Sequence, residues 1–92
     1  MDIHTHKKLK PKEVKFLNCF YKDFFMDSVV TNTRLSEYIR ATAMVKDWRA
    51  VQNWRHLLEN LGWIESPGPR SKKWNISLTP KKYDELLGGV RV

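Results

Sequence analysis

Cysteine is nearly absent from this chain. Its single copy, Cys19, excludes an intramolecular disulfide framework and leaves no cysteine spacing of the kind that binds zinc. Acid is scarce as well: 10 Asp and Glu stand against 17 Lys and Arg, giving a net charge of +7 and a pI near 9.8. No apolar run approaches the length of a membrane span, and "MDIHTHKKLK" lacks the apolar stretch of a signal peptide. An intracellular, cytoplasmic protein is therefore expected. A glycine-rich phosphate loop, a nucleophile with a paired base and a metal-ligand spacing are all missing, so an enzyme is not expected. Asp84 and Glu85 are adjacent on a predicted helix and point about 100° apart, which makes no catalytic carboxylate pair. His4 and His6 lack a third ligand, so no metal site is expected, nor is a cofactor or a small-molecule ligand.

What the chain does have is enough for one domain. At 92 residues, 41% hydrophobic and 29% charged, it falls in the globular range with no room for a second core. The excess of cations favours a polyanionic partner, nucleic acid before an acidic membrane surface, and the placement of the charge has to decide. Residues 1–10, with Lys7, Lys8 and Lys10, read as a basic flexible arm; residues 11–92 read as the folded domain.

Pro11, at home in a first helical turn, opens "PKEVKFLNCFYKDFF". Val14, Leu17, Tyr21, Phe24 and Phe25 share one face at helical spacing, and Phe16 and Phe20 beside them widen the apolar arc to about half the circumference. Two explanations stand side by side: the other helices wrap this one, or Phe16 and Phe20 form a dimer interface. Cys19 falls on the outer side as a plain free thiol, with a redox switch across a dimer as the alternative. Val29 and Val30 in "DSVVT" predict a very short strand. "TNTRLSEYIRAT" predicts a second helix capped by Thr or Asn, with Leu35, Tyr38, Ile39 and Thr42 at helical spacing.

The third helix, "DWRAVQNWRHLLENL", has Asp47 as N-cap and Gly62 as its stop. Val51, Trp54, Leu57, Leu58 and Leu61 share one face; Arg49, Gln52, Asn53, His56 and Asn60 share the other, which holds no carboxylate. A hairpin follows: the strand "WIE", the loop "SPGPRSKK" and the strand "WNISLT", with Trp74, Ile76 and Leu78 alternating against polar residues. Trp54 is expected in the core, Trp48 over the core edge, and Trp63 and Trp74 as a cross-strand pair. Thr79 and Pro80 then supply an N-cap and a first-turn residue for a short last helix, stopped by Gly88 and Gly89.

Helix, short strand, helix, helix, hairpin, helix: this order resembles the winged helix-turn-helix superfamily, including the MarR-like small regulators. The resemblance spans roughly residues 12 to 87 and rests on "RLSEYI", on "VQNWRHLLENLGWI" running into Gly and strand, and on "WNISLTPKKYDELL". It implies an α+β fold, a three-helix core with a β-hairpin wing and a short C-terminal helix. One departure stands out: "ATAMVKDW" makes the stretch from Leu35 to Val51 several residues longer than the compact form, by extending the second helix or lengthening the turn.

The resemblance further implies double-stranded DNA binding, with helix 47–61 in the major groove and the wing, 66–73, on the backbone. The residues suit those roles. Arg49 can bond bidentately to guanine, Gln52 and Asn53 to adenine, and His56 follows one turn later. Lys46, Arg70, Lys72, Lys73, Lys81 and Lys82 are the expected phosphate contacts. Between Ser66 and Lys82 there are five basic residues and no acid, and Lys81 and Lys82 occupy a helix first turn where the macrodipole disfavours cations. A transcriptional regulator acting as a homodimer is the leading expectation. A winged-helix protein-interaction subunit of a larger complex, or a replication or partition DNA-binding protein, is the alternative.

Overall fold

The computed structural model describes residues 9–87. The basic arm, apart from its last two residues, and the Gly88–Gly89 stop lie outside the described residues. Among the described residues there are four helices and a three-stranded antiparallel sheet, so the protein is a small α+β structure. The chain divides into two compact units, Met26–Ser77 and Met1–Phe25 with Leu78–Val92.

In the unit built from the two ends, α1 runs Pro11–Phe24. Pro11 starts it because a first-turn residue needs no N–H. The Glu13 carboxylate folds back to accept from the Lys10 backbone N–H at 2.9 Å, which closes the exposed end. Phe16, Leu17, Phe20 and Phe24 are buried, Val14 and Tyr21 are half-buried, and Phe25 is exposed. The buried stripe is thus rotated from the face centred on Tyr21. Phe16 and Phe20, expected as a candidate dimer interface, are 2% and 0% exposed within a single chain and present nothing to a second copy. Their rings stack in series with Phe24, at centroid distances of 6.3 and 4.7 Å. α4, Pro80–Leu87, begins as expected: Thr79 accepts from Lys82 N–H through its hydroxyl (3.1 Å) and from Tyr83 N–H through its carbonyl (3.0 Å). Tyr83 fixes α4 on α1, its hydroxyl donating to Asn18 Oδ1 and its ring 4.5 Å from that of Tyr21.

The Met26–Ser77 unit holds β1 (Val29–Thr31), α2 (Asn32–Ala43), α3 (Trp48–Asn60), β2 (Ile64–Glu65) and β3 (Lys73–Ile76). Strand order is β1-β3-β2: Val30 opposes Trp74, and Ile64 opposes Ile76. Thr31 serves both β1 and α2, closing the strand against Lys73 and accepting from Arg34 N–H at 3.2 Å as N-cap. Val30, Leu35, Ile39, Val51, Leu58, Trp63 and Ile64 are buried, with no buried polar or charged side chain among the described residues.

The long stretch before Val51 is resolved in favour of a longer helix. α2 continues to Ala43, Met44 turns the chain in the left-handed region (φ 57°), and its N–H donates to the Arg40 carbonyl. Only Val45, Lys46 and Asp47 remain before α3. Asp47 holds the N-cap position as expected, but its side chain makes no capping bond. Trp54 is half-buried rather than interior.

The hairpin register also differs from expectation. Trp63 precedes β2 and is buried, its carbonyl accepting from Ser77 N–H, while Trp74 lies three positions up β3 opposite Val30. The two indoles are therefore not a cross-strand pair. β3 ends at Ile76, short of the expected Thr79, which with Pro80 starts α4 instead.

Gly62 follows α3 at φ 77°, where an L side chain costs about 1–2 kcal/mol. Gly68 in the hairpin loop has no atom within 4 Å of the space a Cβ would fill. Gly62→Ala should lower the free energy of unfolding in urea by about 1 kcal/mol or more, and Gly68→Ala should leave it unchanged or slightly raised. Equal losses at both positions would contradict this backbone.

Candidate nucleic-acid interface

Two surfaces of the Met26–Ser77 unit carry the residues singled out by sequence: the outer face of α3 and the loop between β2 and β3. On α3, burial of Val51 and Leu58 fixes the rotation of the helix, and the opposite side is left in water. Arg49, Asn53, His56 and Asn60 are exposed and Gln52 is half-buried. Four of the five predicted polar residues thus face solvent. Lys46 is exposed in the turn just before the helix. The first turn of α3 has no acidic residue and its leading amides have no intrahelical acceptor; Lys46 and Arg49 flank that end, with the exposed Asp47 carboxylate between them.

The loop 66–72 is held by its own serines. Ser66 Oγ donates to the Gly68 carbonyl (2.7 Å), which also accepts from Ser71 N–H (3.2 Å). Ser71 Oγ donates to the Lys73 carbonyl (3.0 Å) and accepts from Lys73 N–H (3.1 Å). With serines and prolines shaping the loop, the long cations are not needed for it. Arg70 and Lys72 are exposed on the loop, and Lys73 is exposed as the first residue of β3. Lys81 (exposed) and Lys82 (half-buried) sit on α4, which belongs to the other compact unit.

The tie between α3 and the hairpin was not read from sequence. Trp74 points to the inner side of the sheet, and the Arg55 guanidinium lies 5.3 Å from its ring centroid. Trp74 Nε1 donates to Asn32 Oδ1 at 3.1 Å, and Asn32 N–H donates to the Lys72 carbonyl at 2.8 Å. One ring thus bridges α3, the start of α2 and the end of the basic loop. Arg55 is mostly buried; its Nε is 3.7 Å from Glu59 Oε1, too far for a hydrogen bond. The same Glu59 oxygen is 3.4 Å from His56 Nδ1, so this carboxylate flanks the polar face. The i, i+4 spacing of Arg55 and Glu59 was the available signal for that pair. Nothing local pairs residue 55 with residue 74.

Among the described residues, no group of three or more His, Cys, Asp or Glu could hold a metal ion. None of the described helices is long and apolar enough to cross a membrane. No protein-family model matches the chain, and no curated protein and no solved structure matches it.

Trp74→Phe keeps a ring beneath Arg55 and deletes the donor to Asn32. It should cost about 0.5–1 kcal/mol in urea unfolding. Asn32→Ala made in that background should add little, because the two side chains act as one unit. Fully additive losses would mean that the Trp74–Asn32 bond does not couple β3 to α2.

Proposed function

We propose that the chain is a winged helix-turn-helix protein that binds double-stranded DNA, with α3 in the major groove and the β2–β3 loop on the phosphate backbone. Transcriptional regulation is the role this reading favours. The element order and the β1-β3-β2 sheet, with the hairpin following directly on α3, support the fold reading. The observation that carries the functional reading is the Arg55–Trp74 contact. Through it a helix with a solvent-facing Arg49, Asn53 and His56 and a loop bearing Arg70 and Lys72 belong to one braced unit.

The chemistry of each part suits its role. Arginine and asparagine at the leading end of a helix offer the bidentate geometry that guanine and adenine edges accept. Flexible lysines on a hairpin braced by its own hydrogen bonds suit phosphates, which need charge more than shape. The α3 surface can specify and the loop can hold. The alternative, a protein-interaction subunit, drew on the wide apolar arc of α1; with Phe16 and Phe20 buried, that support is gone.

Fluorescence anisotropy of a labelled random-sequence duplex, titrated between about 50 and 200 mM salt, tests this reading. If Lys46, Arg70, Lys72 and Lys73 each neutralise one phosphate, the log–log slope of affinity against salt should be about −3 to −4. Lys72→Ala with Lys73→Ala should flatten it by about two units. No binding at the lowest salt would overturn the proposal.

A further inference from the structure

We infer that Trp48 and Met44 form an apolar contact for the thymine C5-methyl group, so that the turn before α3 selects thymine-containing steps. This rests on the reading that α3 enters the major groove and adds a ligand chemistry that its polar residues do not supply.

Two choices at this turn work against the isolated chain. Trp48 is 48% exposed and Met44 86%, although tryptophan is on average a largely buried residue. Trp48 was expected to cover the core edge, and about half of its surface still faces water. Met44 also takes a left-handed backbone conformation (φ 57°), which glycine or asparagine adopts with less strain. A glycine here would close α2 better and leave less apolar surface in water. The turn thus holds a strained methionine and an indole outward, four residues apart, at the end of α3 that a major-groove reader presents to bases.

The neighbouring charges indicate what covers the pair. Lys46 and Arg49, both exposed, flank Trp48 in sequence and favour an anionic partner over an apolar protein surface. Asp47 stands between them, exposed and with its side chain not used as a cap. A carboxylate is repelled by a line of phosphates but can accept from cytosine N4 at a base edge. Cations at the margin, one acid and an apolar pair together match the floor of the major groove. Only one apolar group is displayed there, the methyl of thymine.

The test uses a pool of random duplexes selected once for binding, then copied either with dTTP or with dUTP, which removes only the methyl groups. Anisotropy at about 50 mM salt should show the chain binding the uracil pool about fourfold more weakly, the worth of one buried methyl-sized group. Trp48→Ala should bind both pools alike, whereas Trp48→Phe should keep the preference. Met44→Gly, which relieves the turn and so should fold at least as well, should also narrow the gap. Equal binding of both pools by the unaltered chain overturns the inference while leaving DNA binding intact. A preference that survives both Trp48→Ala and Met44→Gly also overturns it. So does a fall in sedimentation mass on Trp48→Ala, which would show that a second copy covers the pair. Failure of the unaltered chain to bind either pool removes the DNA reading itself, and this inference with it.

Discussion

The contact of the Arg55 guanidinium with the Trp74 ring is the one on which the proposed binding surface depends. Arg55 belongs to α3 and Trp74 to β3, the central strand of the sheet. A contact of this kind contributes about 0.5–2 kcal/mol. Its positional effect exceeds its energy. Trp74 has Val30 opposite it in the sheet, and its indole N–H reaches Asn32 at the start of α2. Rotation of α3, or a slip of the hairpin, would break several contacts at once. The long, exposed cations of the loop are thereby carried on a base that does not drift.

The side chains that hold the fold and those proposed for recognition are different residues. Among the described residues of the Met26–Ser77 unit no polar or charged residue is fully buried, though Arg55 is mostly so, with its Nε shut off from water. The loop is shaped by Ser66, Ser71 and the two prolines, leaving Arg70 and Lys72 unconstrained by the fold. Exposed ion pairs such as Arg34–Asp27, at 3.9 Å, add little in either direction. Apolar side chains are also left in water: Met44 and Trp48 before α3, and Phe25, Met26 and Val29 around the start of β1.

Much of this was legible in the sequence wherever the information is local. Thr79–Pro80 starts α4, Thr31 caps α2, Gly62 follows α3, and the apolar spacing from Val51 to Leu58 sets the α3 face. What failed was non-local. The α1 arc was wide enough to admit more than one buried stripe, and a helical projection cannot choose between Tyr21 and Phe20 when both are aromatic. The pairing of Trp63 with Trp74 presumed a register, yet register depends on where the loop closes, and Ser71 closes it so that β3 begins at Lys73. The Arg55–Trp74–Asn32 tie joins three elements and has no sequence signature. The candidate base-facing residues were found by periodicity, whereas the contact that holds them in relation to the loop was not.

The most direct test of the account is a footprint by amide chemical-shift perturbation, with the ¹⁵N-labelled chain titrated by a short duplex at low salt. The account predicts that the perturbed amides cluster at residues 46–56 and 66–73, with the outward-facing sheet positions Val29 and Asn75 little changed. A footprint centred on the sheet face or on α1 and α4, with α3 and the loop silent, would contradict it.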